Sequence, residues 1–182
     1  MARIILLNGN SSTGKSSIAK ALQEITAEPF LHVAMDAFLD MMPPSLFSGP
    51  EGMVFERLTD AGKPSVAIRT GPAAARVLRG MRLAMAALAD AGNNLIVDDA
   101  MLEGDAAAYA EALSAHHLSW VGVFAPLDVL ERRERGRGDR DIGMARGLSG
   151  RLHTGIAYDL EVDTAEARPA ACAARIKQVF GL

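Results

Sequence analysis

The chain has 182 residues, of which 49% are hydrophobic and 23% are charged, and its formal net charge is −3. This length fits one domain with a substantial core, and the slightly acidic balance argues against a nucleic-acid partner. No apolar stretch has the length of a membrane span. We expect no signal peptide, because the apolar run that begins at Ile4 leads straight into a glycine-rich loop. The single cysteine, Cys172, excludes an internal disulfide and a cysteine-based metal cluster, so we expect a cytoplasmic protein.

The first apolar run ends in a glycine-rich loop. Residues 3–8 predict a buried strand, and residues 17–22 predict the helix that follows. Between them, residues 9–16 read Gly-Asn-Ser-Ser-Thr-Gly-Lys-Ser and match the phosphate-binding pattern G-x-x-x-x-G-K-[ST]. In this strand–loop–helix order, backbone N–H groups and the helix N-terminus converge on a phosphate group.

This loop predicts a site for ATP and Mg²⁺. We expect Lys15 to reach the outer phosphates and the Ser16 hydroxyl to hold the metal ion. The predicted nucleotide-binding residues of the loop are Gly9, Asn10, Ser11, Ser12, Thr13, Gly14, Lys15, Ser16 and Ser17. The alternative, a Gly-Ser turn between a strand and a helix, is weak because the motif stands in the expected context.

Further apolar runs alternate with helical patterns along the rest of the chain. The predicted strands after the first lie at residues 31–35, 95–97, 120–124 and 160–162. The predicted helices lie at residues 72–91, 105–115, 127–135 and 169–180. This alternation predicts an α/β fold, with a five-stranded parallel sheet and helices on both faces. We expect a single domain over residues 1–182, with an irregular Gly- and Pro-rich acceptor-binding insert at about 36–71.

Acidic residues follow the predicted strands, at the sheet edge where such folds bind ligands. Asp36 follows the second strand, where its carboxylate could orient an acceptor hydroxyl and take its proton, or could cap a helix over residues 37–42. Asp98 and Asp99 end the third strand in the manner of a Walker B motif. Because neighbouring strand residues point to opposite faces, we assign the metal to Asp98 and place Asp99 nearer the acceptor. The alternative is a pair of solvated loop acids.

The densest charge cluster lies at residues 132–140, which read Arg-Arg-Glu-Arg-Gly-Arg-Gly-Asp-Arg. Arg133, Arg137 and Arg140 would share one face if the segment stayed helical. Two glycines in the cluster suggest a hinged lid over about 132–150, whose guanidinium groups close over the transferring phosphoryl group. The alternative is a solvated helix end held by exposed ion pairs.

Several collinear segments carry a resemblance that spans most of the chain. They lie at residues 4–9, 11–12, 14–16, 35–36, 42–43, 96–99, 120–123, 133–134, 137–140, 143–145, 153, 155, 158–159 and 161–164. Together they resemble the chloramphenicol phosphotransferase family of P-loop kinases. The phosphate loop is generic, whereas the segments after residue 132 are specific to this family.

The resemblance implies a nucleoside-monophosphate-kinase-like fold and an ATP-dependent kinase that phosphorylates the primary hydroxyl of chloramphenicol. It also implies a catalytic base at Asp36 and lid arginines at Arg133 and Arg137. His153 and the Tyr158–Asp159 pair are marked by the resemblance without an evident chemical role.

We therefore expect phosphoryl transfer from ATP–Mg²⁺ to a small-molecule alcohol. Lys15 would hold the phosphates, Asp36 would orient the acceptor, and Arg133 and Arg137 would close over the γ-phosphate. The loop that contains Thr164 would touch the adenine ring.

Two alternatives remain at this stage. A kinase for a carboxylate-bearing metabolite would need arginines in the acceptor pocket, for which Arg57 and Arg69 are the candidates. A chloramphenicol-like body would instead suit an apolar pocket, for which the candidates are Phe38, Met41, Phe47 and Phe55. The second alternative is a nucleotide-binding switch with little turnover.

Overall fold

The computed structural model describes residues 1–46, 49–102, 104–137 and 141–182. The strands, numbered in chain order, are β1 (Arg3–Gly9), β2 (Phe30–Ala34), β3 (Met53–Asp60), β4 (Lys63–Thr70), β5 (Asn94–Asp99), β6 (His117–Phe124) and β7 (Leu160–Asp163). The α-helices are α1 (Lys15–Ile25), α2 (Met35–Leu39), α3 (Pro72–Asp90), α4 (Asp105–Ala112), α5 (Leu127–Arg137), α6 (Met144–Leu148) and α7 (Pro169–Phe180). One turn of 3₁₀-helix covers Pro44–Leu46.

Five strands form the predicted parallel sheet, in the order β2-β5-β1-β6-β7. Strand β1 is central, and its run of four apolar residues is fully buried because helices cover both faces. Ile5 and Leu7 belong to the core layer that includes residues of α1 and α7, whereas Ile4 and Leu6 belong to the layer of α3 and α4. The α/β fold with helices on both faces is therefore confirmed.

The order of the strands positions the functional site. From β1 the chain moves to β2 and β5 on one side of the sheet and then crosses to β6 and β7 on the other. Doubly wound sheets bind ligands where the strand order reverses, at the carboxyl ends of the strands. The phosphate loop follows β1 and therefore lies at this position. None of the helices in the described residues is long and apolar enough to cross a membrane.

The prediction of an irregular insert is wrong for much of this segment, because the chain there forms an antiparallel hairpin. Strands β3 and β4 pair from Met53 opposite Thr70 to Asp60 opposite Lys63. The two loop residues, Ala61 and Gly62, have φ values of 48° and 76°. Two-residue hairpin loops favour positive φ at both central positions, where Asn-Gly or Asp-Gly is the usual signal. An alanine at the first position hid that signal in the sequence.

The arginine-rich segment also differs from the prediction. Helix α5 continues through Gly136 to Arg137, so this glycine does not interrupt it. Residues 138–140 of the cluster, which include Arg140, lie outside the described residues. The short helix α6, which the sequence pattern did not predict, follows and packs on the hairpin: a Cβ added at Gly147 would lie 1.8 Å from the carbonyl oxygen of Val66. The proposed lid region is thus joined to the hairpin.

Candidate active site

The phosphate loop owes its shape to two glycines and an asparagine. At Gly9, an added Cβ would lie 2.4 Å from the carbonyl oxygen of Val123 on β6, so only glycine fits. Gly14 has a φ of 91° and leads directly into α1, a conformation that favours glycine. Asn10 Oδ1 accepts a hydrogen bond from the Ser11 N–H (2.7 Å), and Asn10 Nδ2 donates to the carbonyl oxygen of Ala145 (2.7 Å). The loop is therefore bound to α6.

Several donors of the loop suit phosphate oxygens. Lys15 Nζ lies across the loop and donates to the carbonyl oxygens of Gly9 (2.8 Å) and Asn10 (3.0 Å). Within the described residues, the buried hydroxyl oxygens of Ser11 and Ser12 have no hydrogen-bond partner. Buried polar groups normally have partners, so these hydroxyls are available to a ligand at the N-terminus of α1.

Two further predicted members of the loop, Thr13 and Ser17, have different surroundings. Thr13 Oγ1 donates to the carbonyl oxygen of Asn10 (2.8 Å), so its side chain stabilises the loop itself. Ser17 is exposed in the first turn of α1 and lines the large cavity described below. All nine predicted loop residues therefore lie together around the start of α1.

Asp98 lies beside the loop as the candidate metal ligand. Its Oδ2 accepts a hydrogen bond from Ser16 Oγ (2.5 Å) and lies 3.5 Å from His32 Nε2, while its Oδ1 lies 4.0 Å from Lys15 Nζ. Burial would raise the pKa of Asp98, but His32, the Lys15 charge and the Ser16 hydrogen bond outweigh burial and lower the pKa below its ordinary value. The carboxylate is therefore ionised at neutral pH.

The donor set fits Mg²⁺ held jointly with phosphate oxygens. One hydroxyl and one carboxylate are oxygen ligands of the kind that Mg²⁺ takes from a protein when substrate phosphates supply others. Among the described residues, no group of three or more His, Cys, Asp or Glu side chains could hold a metal ion. A dedicated all-protein metal cage is thus absent from this part of the chain.

The neighbouring Asp99 has a different environment. Its Oδ2 accepts a hydrogen bond from the Tyr109 hydroxyl (2.5 Å), and its Oδ1 accepts one from the Ala100 N–H (2.6 Å). Complete burial raises the pKa of Asp99 to about 6, against the lowering effect of the Tyr109 hydrogen bond. The two adjacent carboxylates therefore have different surroundings: Asp98 lies at the phosphate loop and Asp99 lies against α4.

The predicted base occupies the first turn of α2. That helix begins at Met35 with Ala34 as its N-cap, so the alternative prediction that Asp36 caps a helix over residues 37–42 is wrong. Asp36 is exposed and lines the same cavity as Ser16 and Asp98. This placement puts a carboxylate beside the phosphate loop without burying it.

The two predicted lid arginines have different positions. Arg133 donates through Nη1 to Thr164 Oγ1 (2.9 Å) and to the Ser12 carbonyl oxygen (3.4 Å), and through Nη2 to the Thr164 carbonyl oxygen (2.6 Å). It therefore connects the phosphate loop to the loop after β7, where the adenine contact was predicted. Arg137, one helical turn later, lines the cavity.

The cavity has a volume of about 720 Å³ and extends from the phosphate loop to the hairpin. Its apolar wall includes Leu39, Met53, Phe55, Ile68, Leu78 and Leu102. Of the predicted pocket residues, Phe55 lines the cavity, whereas Met41 is 66% exposed and Phe38 packs against the core layer of α3 and α4. Phe47 lies outside the described residues. The cavity thus has an apolar wall, to which Phe55 alone contributes among those candidates that the structure describes.

The arginines predicted for a carboxylate-bearing acceptor lie on the surface instead. The side chain of Arg57 is 79% exposed and pairs with Asp141, and that of Arg69 is 71% exposed and pairs with Glu56. Neither residue lines the cavity. Successive strand residues face opposite sides, so Arg69 lies on the face opposite that of Ile68. Arg57 shares the face of Phe55 but lies farther along the hairpin, towards its tip.

Sequence reasoning missed several polar residues of the cavity region. Arg82 of α3 and Asp105 of α4 line the cavity and face each other across 3.4 Å, and His32 of β2 contacts Asp98. The available signal for Arg82 was its spacing, because it lies four residues after Leu78 on the same face of α3.

The family-marked residues near the C-terminus stabilise the end of β1. The buried side chain of Asn8 donates through Nδ2 to the Tyr158 hydroxyl (2.6 Å) and to the Leu152 carbonyl oxygen (2.7 Å). The same hydroxyl lies 2.7 Å from His153 Nδ1. Asp159 Oδ2 accepts the N–H of a β6 residue (2.8 Å). These contacts hold the segment before β7 against the strand that leads into the phosphate loop.

Comparison with known proteins agrees with this site. The family described as "Chloramphenicol phosphotransferase-like protein" matches residues 2–181. The chain belongs to this family. A relative from Mycobacterium tuberculosis, named "Putative O-phosphotransferase", is 33% identical over 168 residues, which cover 89% of this chain and 75% of the relative. The resemblance to the chloramphenicol phosphotransferase family, which was inferred from the sequence, is therefore confirmed.

Solved structures show the same fold. The APS kinase of Mycobacterium tuberculosis, solved with AMPPNP and APS, superimposes with a TM-score of 0.71 at 15% identity, over all of this chain and 98% of that one. A sugar kinase from a Janibacter species superimposes with a TM-score of 0.67 at 21% identity, over 100% and 95% of the two chains. The fold is that of P-loop kinases. Together with the family membership, the fold identifies this phosphotransferase as an ATP-dependent small-molecule kinase.

Proposed function

We propose that the protein transfers the γ-phosphoryl group of ATP to a hydroxyl group of an uncharged alcohol with an aromatic body, as in chloramphenicol. The observation that carries this proposal is the single cavity, whose lining includes the candidate metal pair Ser16 and Asp98, the carboxylate of Asp36 and an apolar wall. A phosphate donor and an apolar alcohol could meet in this cavity with the carboxylate of Asp36 between them.

Phosphoryl transfer requires alignment and charge neutralisation more than covalent chemistry. Bound Mg²⁺ would supply charge neutralisation on the phosphate oxygens. Lys15 and the loop amides would hold the β- and γ-phosphates, while Ser16 and Asp98 would hold the metal. Arg137 would approach the γ-phosphate from α5, and Arg133 with Thr164 would border the adenine ring.

Asp36 would orient the acceptor hydroxyl and accept its proton late in the transfer. Its position supports this role, since it lines the same cavity as the phosphate loop and the apolar wall.

The arrangement of charges favours an uncharged acceptor. The two arginines that could hold a carboxylate, Arg57 and Arg69, point to solvent, and Arg82 inside the cavity is paired with Asp105. An aromatic body would contact the apolar wall formed by the hairpin and α3, where an ionised group would lose its hydration.

Asp36→Asn tests the proposed reaction. We expect the rate of phosphoryl transfer in a single turnover with chloramphenicol to fall by about 100-fold or more, because general-base catalysis typically contributes at least this factor. The matched control is Asp40→Asn, one turn later on the same segment and also at the cavity. A transfer rate that stays near the parent value would rule out the base assignment. ADP release that chloramphenicol does not stimulate would rule out this acceptor.

A further inference from the structure

His32 is a polar side chain at the border of an apolar core layer. Strand β2 pairs in parallel with β5, so that His32 lies opposite Ile96, two residues before Asp98. Phe30 and Ile96, which share a face of the sheet with His32, are buried in the core layer of α1 and α7. The strand register therefore places an imidazole between these hydrophobic side chains and Asp98.

One nitrogen of this imidazole lacks a hydrogen bond. The side chain is 16% exposed, and its buried Nε2 atom has no hydrogen-bond partner among the described residues. The group that Nε2 faces is Asp98, whose Oδ2 lies 3.5 Å away, beyond the usual range of about 2.7–3.2 Å for an N–H···O hydrogen bond. Burying a polar atom without a partner is unfavourable, so the position of Nε2 calls for a role in the ligand-bound state of the site.

The carboxylate of Asp98 has two oxygens with different neighbours. Ser16 Oγ donates to Oδ2 (2.5 Å), which is also the oxygen that faces His32, whereas Oδ1 lies 4.0 Å from Lys15 Nζ. Of these four described residues, Lys15, Ser16 and Asp98 line the cavity and His32 does not. His32 is therefore placed to act through Asp98 rather than to touch a ligand itself.

A donor behind a metal-ligating side chain fixes the orientation of that ligand. The Nε2–H of histidine is a donor both in one neutral tautomer and in the imidazolium. Because Nε2 has no competing partner among the described residues, a shift of a few tenths of an ångström would complete its hydrogen bond to Asp98.

We propose that His32 is a positioning residue of the metal site: its Nε2–H donates to Asp98 Oδ2 and holds that carboxylate in the orientation that binds Mg²⁺. This inference rests on the proposed function, because it deepens the metal site assigned there. It depends neither on the identity of the acceptor alcohol nor on Asp36 acting as the base.

Two variants of His32 test the contact through AMPPNP binding, measured by calorimetry once with Mg²⁺ and once with EDTA. His32→Met removes the donor, so it should weaken binding with Mg²⁺ by about 10-fold and leave binding with EDTA within about 2-fold. His32→Gln keeps an N–H donor close to the position of Nε2, so it should restore most of the affinity with Mg²⁺. In an Asp98→Ala background, His32→Met should change neither affinity by more than about 2-fold, because its effect passes through that carboxylate.

The control variant is His117→Met, which should leave both affinities unchanged. His117 is exposed and pairs with Arg3 at the opposite end of the sheet. A measurement on the parent protein makes the test independent of how the variants fold. Nitrogen-15 NMR of the imidazole should show a proton on His32 Nε2 in the complex with Mg²⁺ and AMPPNP.

Four results would overturn the inference: a loss in His32→Met that is absent or equal with Mg²⁺ and EDTA, no recovery in His32→Gln, a further loss in the Asp98→Ala background, or an Nε2 without a proton in the complex. Equally tight AMPPNP binding by the parent with Mg²⁺ and with EDTA would overturn both the inference and the proposed metal site. These measurements contain no acceptor, so a failure to phosphorylate chloramphenicol would overturn the proposed acceptor and leave the role of His32 intact.

Discussion

Glu134 stabilises the contact between α5 and α6, and its replacement by glutamine should have a large and specific cost. The side chain is only 1% exposed. Its Oε2 accepts the N–H of Gly143 (2.8 Å), and its Oε1 accepts the N–H of Ala145 (2.9 Å). Glutamine keeps the shape of glutamate but replaces one acceptor oxygen by an NH₂ donor. One of the two backbone N–H groups therefore loses its partner and faces another donor.

The expected magnitude follows from those two hydrogen bonds. A hydrogen bond to a charged group contributes about 1.5–3 kcal/mol, and a buried donor left unpaired costs about 1–3 kcal/mol. Because these two estimates describe overlapping losses, we expect Glu134→Gln to lower the free energy of unfolding by about 3 kcal/mol. The loss should be largest around α6, whose first turn holds both donors.

Urea unfolding measures the total effect, and amide hydrogen exchange at Gly143 and Ala145 locates it. The control is Asp128→Asn on the same helix, which removes an exposed pair with Arg132 in which both side chains are more than 60% exposed. Exposed pairs are worth about 0–1 kcal/mol, so this control should change little. A loss below about 0.5 kcal/mol in Glu134→Gln, or unchanged exchange at both amides, would refute the argument.

Three further predictions concern the metal site, the hairpin contact and the segment before β7. Asp98→Asn should raise the Mg²⁺ concentration needed for half-maximal activity by about 10-fold or more, measured by titration at saturating ATP, because the variant would lose the charged group that we propose as a metal ligand. Gly147→Ala should lower the free energy of unfolding in urea by about 1–3 kcal/mol, because its Cβ would meet the Val66 carbonyl oxygen at 1.8 Å. Burial lowers the pKa of His153, so its neutral form contributes stability that is present above about pH 6.5 and is lost as the pH falls. Urea unfolding at pH 7.5 and 5.5 should therefore show a smaller loss on acidification for His153→Gln than for the parent, and an equal loss would contradict this reasoning.

Much of the fold was predictable because its signals are local. The buried run of β1 and the proline and glycine that bound the C-terminal helix led to the observed elements within a few residues. The hairpin was not predictable in the same way, because Ala61 adopts a positive φ that only the pairing of β3 with β4 enforces. Helix α6 was missed for a related reason. It has five residues, and buried contacts from Glu134 and the hairpin stabilise it rather than its own helix propensity.

The candidate site also has one part that local sequence determines and one part that long-range packing determines. Eight consecutive residues from Gly9 to Ser16 carry the phosphate-binding pattern, and their backbone geometry follows from the local order of strand, loop and helix, so the sequence alone determined that half of the site. The proposed acceptor half is lined by side chains from α2, α3, α4 and the hairpin. Strand register and helix rotation decide which of those side chains face the cavity, and long-range packing sets both. Only the tertiary structure therefore shows that Arg57 lies exposed near the hairpin tip and that Arg82 meets Asp105 at the cavity.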